Sequence, residues 1–585
     1  MIARYKFGDK ELQKEVEGLG IILCNRNGGF CFFEDSTKSK YNGVFFRDER
    51  IYKVIEEIRI NGEILGITNK LWQVERERKG FRETFFMPCG TNSFVHETDK
   101  RVEVQLILDV REPYDQSEWG RMYSIEQEKN CIIIRYDKKR DEREGSQEEF
   151  TRYLAISGRI ESFRENKEWI RQSYEKDALR KDVHYERFVF NALCFETDCF
   201  VASFSANRKK AIAESREVYR KLGKMKDLAR KEAHQELTQS EEGFAALCAR
   251  HSLLGLYQQP LQGIYAGLPW FFQLWTRDEL ISARALSMID FEAGKKILFK
   301  QLGAIGYDGK MPSMPDSQLA SCDAPGWLFM LGKEIYTKLT KKEQNLLIEG
   351  LLHVLYLVIK FQTQDELMFN KGKETWMDTS FGDDERAGYC IEMQAMLLFM
   401  YKTMYELTMN SRYKVFEEKL KEKVRDKFWN GEWLKDRVGD DTKRPNVFIA
   451  AYFYPGLLSS EEWRKCFTNI LDALWLDWGG LSSIDKQSPL FVEQYTGTDN
   501  RSYHRGDSWY YLNNMAAVVL ARLGGFDDYV KKIVDASTKE ILWQGASGHH
   551  AEVSSAKEQR SEGCVAQAWS AATYLEMVNE AKALR

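Results

Sequence analysis

From residue 241 onward the chain repeats one pattern, amphipathic helices divided by loops, which restricts the fold more than any other sequence feature. About twelve helices are predicted, near 242–259, 278–289, 291–302, 323–338, 341–363, 391–409, 411–428, 444–453, 460–475, 506–522, 526–542 and 563–582. Six helix pairs closed into an (α/α)6 barrel would give each helix two neighbours and a shared core. A helical solenoid would show similar periodicity, but no repeat of fixed length occurs. The pattern therefore favours the barrel.

The loops of this region alternate between short and long. The long ones fall at every second junction, at 260–277, 303–322, 364–390, 476–505 and 543–562. In a barrel of helix pairs, every second junction lies at the same end, so the long loops should gather there. Functional side chains are commonly carried on such loops above a rigid scaffold. We expect the functional site at that end.

The sequence before residue 205 has a different texture. Short runs such as GFCFFED, VEVQLILDV and NCIIIRYD are rich in β-branched and aromatic residues and alternate with turn residues. We predict an antiparallel β-sandwich domain over 1–204. Residues 205–240 have helical periodicity with charge on most faces, which is typical of a helical linker. The predicted fold is thus multidomain, a β-sandwich followed by an all-α (α/α)6 barrel over 241–585.

Composition excludes several classes of partner. The 585 residues include 89 acidic and 85 basic side chains in no long block of one sign, so the basic footprint of a nucleic-acid-binding protein is missing. Eleven scattered cysteines without a CxxC pair are typical of reduced thiols in a cytoplasmic protein. The N-terminus lacks a signal-peptide core, and the longest apolar helix, 346–361, is short for a bilayer. We expect no membrane partner, and the oligomeric state is left open.

The stretch ETWMDTSFGDDE (374–385) contains five carboxylates and no Lys or Arg. Acids without a cation need hydroxyl donors, water, a metal or a proton, and a polyol substrate supplies hydroxyls. Tryptophans are concentrated in the same region, with 12 of the 15 at or after residue 270. Their flat faces can stack on sugar rings, although most tryptophans in proteins are packing residues. Together these features indicate a carbohydrate ligand.

No metal or cofactor signature accompanies these acids. The eight histidines include one close pair, His549-His550, which lacks the spacing of zinc ligands. Asp383-Asp384 does not continue into a DDxxD box. Phosphate-binding GxxxxGK[ST], GxGxxG after a strand and the GxSxG elbow are also missing. We therefore predict acid–base chemistry without a cofactor or metal.

Seven blocks resemble, in order, conserved segments of the amylo-alpha-1,6-glucosidase domain of glycogen debranching enzymes. They are AGLPWFFQLWTRDELISARAL (266–286), SCDAPGWLF (321–329), ETWMDTS (374–380), ERAGYCIEMQ (385–394), KRPNVFIA (443–450), SYHRGDSW (502–509) and GHHAEVSSAKEQRSEGCVAQAWSAA (548–572). One block would be a weak signal, but seven in the right order across about 310 residues are a specific one. The β-region resembles only faintly the β-sandwich that precedes this domain in prokaryotic relatives.

The resemblance implies an inverting glycoside hydrolase that removes α-1,6-linked glucose at branch points of glycogen or limit dextrin. It assigns Asp378 as the general acid, with a pKa raised by its surroundings, and Glu552 as the general base. The two carboxyls of an inverting enzyme stand roughly 6.5–9.5 Å apart, which leaves room for a water molecule. Glu558 and Glu562 lie on the same loop as Glu552 and are alternative bases.

Further residues are assigned to substrate binding by the same match. Asp278 would accept hydrogen bonds from sugar hydroxyls and Arg277 would orient it; a helix cap with its salt bridge is the alternative for both. The other predicted binding residues are Trp275, Asp323, Trp327, Trp376, Glu392, Tyr503, His504 and Trp509. A histidine beside a tyrosine is more often structural than catalytic, so His504 is assigned to binding alone.

The chain departs from the family pattern at a few positions beside the predicted site. Thr276 replaces a usual Gly, Gln394 an Asn, Arg505 a Gln, and His-Ala precedes Glu552 where Ser is common. These changes bear on linkage preference and acceptor length. Two alternatives remain: another inverting exo-α-glucosidase of glucoamylase, trehalase or small-glucoside type, and a non-catalytic glucan-binding protein. Residues 1–240 show no resemblance to the transferase of eukaryotic debranching enzymes, so glucosidase activity without transferase activity is expected.

Overall fold

The computed structural model describes residues 1–144, 148–233, 240–382 and 384–583. The chain divides into two compact units, one of Met1–Leu261 with Ile541–His549, the other of Gln262–Glu540 with His550–Arg585. Part of the predicted 205–240 linker, residues 234–239, lies outside the described residues, as does Asp383.

The described part of the first unit contains fifteen strands in one branched sheet. They are β1 (Ile2–Phe7), β2 (Lys10–Glu15), β3 (Ile21–Cys24), β4 (Phe30–Phe33), β5 (Gly43–Asp48), β6 (Arg50–Arg59), β7 (Ile64–Asn69), β8 (Val74–Arg78), β9 (Phe81–Phe86), β10 (Ser93–Arg111), β11 (Arg121–Glu128), β12 (Cys131–Lys138), β13 (Phe150–Gly158), β14 (Phe163–Ser173) and β15 (Glu186–Ser205). The pairing is antiparallel except between β1 and β7, which are parallel. The wholly antiparallel expectation fails there because a long connection allows parallel pairing.

Two long strands, β10 and β15, turn this sheet into two layers. The first half of β10 pairs with β9 and its second half with β6. Likewise β15 pairs with β14 along its first half and with β13 along its second. Aromatic contacts such as Phe33 with Phe85 and Phe46 with Phe204 join the layers, at ring-centroid distances of 5.3 and 6.0 Å. The predicted β-sandwich is confirmed.

Three helices belong to the same unit: α1 (Glu175–Leu179), α2 (Arg208–Ala233) and α3 (Glu241–Leu256). Helix α2 packs on the sheet through one apolar stripe, since Val218 and Leu222 contact Val95 and Val201. Its remaining faces are charged, which explains why its sequence reads as polar on most sides.

The described second unit contains the remaining eleven helices, except that the last three residues of α13 belong to the first unit. They are α4 (Thr276–Ile289), α5 (Phe291–Leu302), α6 (Ala324–Ile335), α7 (Lys341–Gln362), α8 (Ile391–Thr408), α9 (Ser411–Phe428), α10 (Asn446–Phe453), α11 (Ser460–Leu474), α12 (Tyr510–Leu523), α13 (Asp527–Trp543) and α14 (Ala568–Ala583). Helices α4, α6, α8, α10, α12 and α14 contact one another in that order, and α14 contacts α4, which closes an inner ring. Helices α5, α7, α9 and α11 pack against members of this ring. The predicted (α/α)6 barrel is confirmed.

The inner helices are almost wholly buried, and the long loops lead into their N-termini. Because consecutive inner helices run in the same direction, these N-termini and loops share one end of the ring. Paired two-residue strands brace this end: Gly267–Leu268 with Ala566–Gln567, Met311–Pro312 with Ala320–Ser321, and Ser508–Trp509 with Val553–Ser554. Similar ladders at Thr363–Gln364 with Leu367–Met368 and at Trp475–Leu476 with Gly480–Leu481 close tight turns.

Helix α7 is longer than the apolar segment predicted from the sequence. Within the described residues it is the one helix that could cross a membrane by length and composition, and 33% of its apolar window is buried. In the ring it packs against α5, α6 and α8, which accounts for its apolar stripe.

Candidate active site

Two inner helices begin with charged side chains that face each other. Arg277, in the first turn of α4, donates from Nε to Asp323 Oδ2 at 2.7 Å and from an amino group to Ser321 Oγ at 3.2 Å. Asp323 precedes α6, so one salt bridge fixes the relative position of two helix N-termini. Arg277 also approaches Asp378 Oδ2 at 3.6 Å. The guanidinium thereby holds the loop that carries Asp378 above the ring.

Asp378 has the environment that a proton donor needs. Burial raises the pKa of its carboxyl to about 6, with a further contribution from Asp323, although Arg277 opposes the shift. The side chain nevertheless remains 35% exposed, so it is accessible to a ligand. A carboxyl with a pKa near 6 is substantially protonated in mildly acidic solution and can donate a proton there.

Glu552 is the second carboxyl at this end of the ring, and it is 2% exposed. Its Oε1 accepts a hydrogen bond from the Tyr503 hydroxyl, and its Oε2 accepts one from the backbone N–H of Cys564 at 3.0 Å. Two donated hydrogen bonds favour the charged form of a carboxylate. Gly563 packs against this group at φ +66°, where a Cβ would lie 2.2 Å from Oε2, so glycine is required there.

A short chain of contacts joins the two acidic loops. Thr379, which follows Asp378, shares a 2.7 Å hydrogen bond between its Oγ1 and His504 Nδ1. His504 directly follows Tyr503, whose hydroxyl bonds to Glu552. Burial and the charges of nearby arginines hold the pKa of His504 well below its ordinary value, so the ring is neutral. The site therefore brings Asp378 and Glu552 to the same end of the barrel.

The Asp278 carboxyl interacts with the charges of Arg277, Glu552 and Asp378. Burial raises the pKa of its carboxyl to about 8; Arg277 opposes the shift, and the charges of Glu552 and Asp378 add to it. Gln567 Nε2 donates to Asp278 Oδ1 at 2.9 Å. At neutral pH this carboxyl is therefore mostly protonated, and its hydroxyl can donate a hydrogen bond.

The acidic stretch is neutralised by cations from distant parts of the chain, which corrects the expectation of uncompensated charge. Glu374 pairs with Lys310. Asp384 accepts from both Arg444, at 3.1 Å, and Arg505, at 2.8 Å. The raised pKa of Asp378 thus results mainly from burial and not from a surplus of neighbouring carboxylates.

Arg505, one of the departures from the family pattern, has a defined role in this arrangement. Besides Asp384, it donates to the Thr379 backbone oxygen at 3.2 Å. It therefore ties the segment that follows Asp378 to the segment that carries Tyr503. Another departure, Gln394, exchanges two 2.8 Å hydrogen bonds with the Met368 backbone.

The remaining predicted binding residues fall into two groups. Trp275 is the N-cap residue of α4 and is partly exposed, and its buried Nε1 has no hydrogen-bond partner within the described residues. Glu392 is 1% exposed and forms a two-pronged salt bridge with Arg386 at 2.8 and 3.1 Å. Trp327 is 2% exposed and packs edge-on against Phe453. The structure thus places Glu392 and Trp327 in supporting contacts.

Two other tryptophans support the loop residues by packing. Trp376 and Trp509 are 2% and 3% exposed, and both contact the His504 ring, edge-on at 5.4 Å and stacked at 5.1 Å respectively. Trp376 Nε1 donates to Asn446 Oδ1 at 2.7 Å, and Trp509 Nε1 to the Tyr503 backbone oxygen at 2.7 Å. Other aromatic rings of the protein cover the faces of both tryptophans. Trp376 and Trp509 therefore hold His504 and Tyr503 in place.

Sequence reasoning missed several residues that the structure brings into the site. Ser321, Thr379, Gln567 and the Cys564 amide each bond to an acidic or histidine side chain of the site. All four lie inside the quoted sequence blocks, and that location was the available signal. Within the described residues, no cluster of three or more His, Cys, Asp or Glu has the geometry of a metal site.

A buried clamp positions the segment that carries Glu552. The Glu540 carboxylate, fully buried, bonds to His550 Nδ1 at 2.6 Å and accepts from the Ala551 N–H at 3.2 Å and from Ser561 Oγ at 2.6 Å. One side chain therefore holds both arms of the loop around Glu552. Displacing a reacting group by about 1 Å can cost about 10²-fold in rate.

If Glu552 takes part in the reaction, as the sequence resemblance implies, replacing Glu540 by Gln should lower kcat by about 10–100-fold and change KM little, because it loosens the position of Glu552 without touching substrate. Steady-state kinetics would separate these effects. The matched control is Glu558→Gln, since Glu558 lies on the same loop but is exposed and paired with Arg560. Equal losses in both variants would contradict the clamp.

A solved structure with a similar fold along the whole chain agrees with this architecture. The chain aligns with a bacterial glucoamylase solved in complex with acarbose, at a TM-score of 0.62 and 13% identity, over 100% of this chain and 98% of that chain. A glycosidase solved as the wild-type protein aligns at a TM-score of 0.44 and 12% identity, over 59% of this chain and 99% of that chain. No curated protein matches the chain.

Carboxyl groups gathered at the loop end of an (α/α)6 barrel, in a chain that matches a glucosidase family, define the class: this chain is a glycoside hydrolase. Residues 232–576, more than half of the chain, match the family described as amylo-alpha-1,6-glucosidase. The chain belongs to the amylo-alpha-1,6-glucosidase family, which confirms the resemblance carried by the seven sequence blocks.

Proposed function

We propose that the protein removes α-1,6-linked glucose from branch points of an α-glucan such as a glycogen limit dextrin, with inversion at the anomeric carbon. The observation that carries this proposal is the pair of carboxyls at one end of the barrel, Asp378, whose pKa is raised to about 6, and Glu552, which accepts two hydrogen bonds. Membership of the amylo-alpha-1,6-glucosidase family supports the choice of linkage.

In this mechanism Asp378 donates a proton to the glycosidic oxygen. Its partly exposed carboxyl can reach a ligand, and burial keeps a proton on it in mildly acidic solution. Cleavage develops positive charge on the sugar ring, which the ionised acids of the site stabilise. Arg277, which bonds to Asp323, holds the loop of Asp378 in place for the transfer.

Glu552 activates the water that attacks the opposite face of the sugar. The Tyr503 hydroxyl and the Cys564 N–H both donate to it and favour the carboxylate form that a general base requires. Burial and the charge of Glu552 raise the pKa of Tyr503 well above its ordinary value, so the tyrosine remains a donor. The separation expected for the two carboxyls is roughly 6.5–9.5 Å.

Asp278 and Trp275 would bind the terminal glucose. Asp278 is mostly protonated at neutral pH and can both donate to and accept from a sugar hydroxyl. Trp275, which directly precedes helix α4 and is partly exposed, would lie against the sugar ring. Of the alternative bases, Glu558 is exposed and paired with Arg560, which supports Glu552 as the base.

A second candidate is an exo-α-glucosidase acting on other α-glucosidic bonds. It is favoured by the similarity to the bacterial glucoamylase along the whole chain. Incubation with a branched limit dextrin and with linear maltooligosaccharides, followed by proton NMR of the released glucose, distinguishes the two. We expect β-glucose from the limit dextrin alone. Activity confined to linear chains would replace the proposal with the second candidate, and α-glucose as the first product would exclude inversion.

The pH dependence should report the proton on Asp378. We expect kcat/KM for limit dextrin to fall as the pH rises above about 6, because the pKa of this carboxyl is raised to about 6 and the ionised form cannot donate. Initial rates across a buffer series would measure this limb. A flat profile between roughly pH 5 and pH 8 would contradict the assignment.

A further inference from the structure

A polar cavity of about 480 Å³ opens on the sheet of the first unit. Its walls are formed by strands β6, β10, β15 and β14, which neighbour one another in this order. The volume lies within the roughly 300–1,000 Å³ usual for small-ligand sites. The proposed glucosidase reaction uses none of its lining residues.

The strand register places polar side chains from all four strands on one face. Arg59 of β6 lies opposite Gln105 of β10, and Gln105 lies opposite Cys194 of β15. Arg164 of β14 completes this row opposite Cys194. Directly paired residues point to the same side of a sheet, so the row forms one continuous polar surface.

Irregular pairing shapes the cavity at its centre. Strand β15 breaks register between Asn191 and Leu193 against both of its neighbours, β10 and β14. The pairing of β10 with β6 shifts at the adjacent position, between Ile107 and Leu108. Such bulges redirect side chains and frequently adjoin binding sites. Here they coincide in three neighbouring strand pairs.

An amide network occupies the floor. The side chain of Asn191, which is 4% exposed, accepts at Oδ1 from Gln105 Nε2 and from Asn166 Nδ2, both at 2.9 Å. Its own amide group donates to Glu168 at 2.5 Å. The network fixes the side-chain amides of Gln105 and Asn166, which both line the cavity. Paired donors and acceptors held this way match the adjacent hydroxyls of a sugar.

The charges of the lining nearly cancel. Arg59 and Arg164 face Glu103, Glu165 and Glu168, and Arg164 pairs with Glu103 at 3.6 Å. A site for phosphate or nucleic acid would carry excess positive charge, which this one lacks. The chemistry therefore selects an uncharged ligand rich in hydroxyl groups.

We propose that this cavity is a second glucan-binding site, which holds a chain of the polysaccharide apart from the reacting branch. The identity of the ligand rests on the proposed function, since the substrate is the uncharged polyol that the protein encounters. The cavity holds a short stretch of a glucan chain, and binding there raises the local concentration of branch points.

The test is native gel electrophoresis of the full-length protein in gels with increasing glycogen. Replacing Gln105 and Asn166 together by Ala should raise the apparent Kd for glycogen about tenfold, because each lost hydrogen bond contributes a factor of a few. Gln127→Ala, at an exposed amide on β11, is the matched control and should migrate as the wild type. Arg164→Ala, at a side chain that is 73% exposed, provides a second variant that leaves the amide network intact.

The double variant and Arg164→Ala should cleave a small branched oligosaccharide at the wild-type rate. Their KM should be higher only for polymeric substrate. The proposal would be overturned if glycogen retarded the wild type, the double variant and Arg164→Ala to the same extent. If the protein hydrolysed neither substrate but its binding to glycogen still depended on Gln105 and Asn166, the proposed glucosidase activity would be refuted. The proposal of a glucan-binding site would remain supported.

Discussion

Replacing Asp378 by Asn will lower kcat for a branched limit dextrin by about 10²–10⁴-fold, the usual cost of losing a general acid. The amide keeps the shape of the carboxyl but has no proton of suitable acidity. The fold should tolerate the change, because the side chain is 35% exposed and its 3.6 Å contact with Arg277 is long. Coupled detection of released glucose would measure the loss.

A substrate that needs no acid gives this variant a sharper readout. Fluoride leaves without protonation, so α-glucosyl fluoride should be hydrolysed by Asp378→Asn far better than the dextrin, relative to wild type. Glu385→Gln is the matched control, since Glu385 lies on the same loop and is exposed. Equal losses on both substrates would show that Asp378 is not the proton donor.

Replacing Glu552 by Gln should also lower kcat by about 10²–10⁴-fold, and here the loss should extend to α-glucosyl fluoride. The attacking water needs a base whatever the leaving group. The Tyr503 hydroxyl and the Cys564 N–H donate to different oxygens of Glu552, so the amide oxygen can keep the bond from Cys564 while the Tyr503 hydroxyl rotates to accept from the new amide group, and the loop should keep its position. Rates on both substrates, with thermal unfolding to monitor the fold, would measure the effect.

The alternative bases supply the comparison. Glu558→Gln and Glu562→Gln should retain nearly wild-type rates on both substrates. A variant of Glu562 that lost activity while Glu552→Gln kept it would move the role of base to Glu562. The acid and base variants together should thus give opposite responses to a leaving group that needs no proton.

Helix periodicity predicted the architecture because packing in a helical ring depends on local residue spacing. All twelve predicted helices are confirmed. The starts of α12 and α14 were placed too early, since Ser508–Trp509 and Ala566–Gln567 are extended strands in paired ladders. Those ladders join segments distant in the chain, and local spacing does not encode them.

The electrostatics of the site could not be predicted in the same way. Asp384 was interpreted as an acid without a cation nearby, yet its partners Arg444 and Arg505 lie 60 and 121 residues further along the chain. The tryptophans pose the same problem. Trp376 lies in a loop, which favoured an open sugar platform, but the fold covers its ring with His504 and Trp509.

The common direction of the inner helices has an electrostatic consequence. Each helix has a macrodipole whose partial positive charge lies at its N-terminus, and all six of these ends converge on the loops. That field stabilises anions, so it offsets part of the repulsion among those carboxyls of the site that are ionised. A barrel whose inner helices pointed the same way but lacked these acids would attract phosphate or sulfate at this end instead. The acidic lining of the site is therefore matched to the orientation of the inner helices.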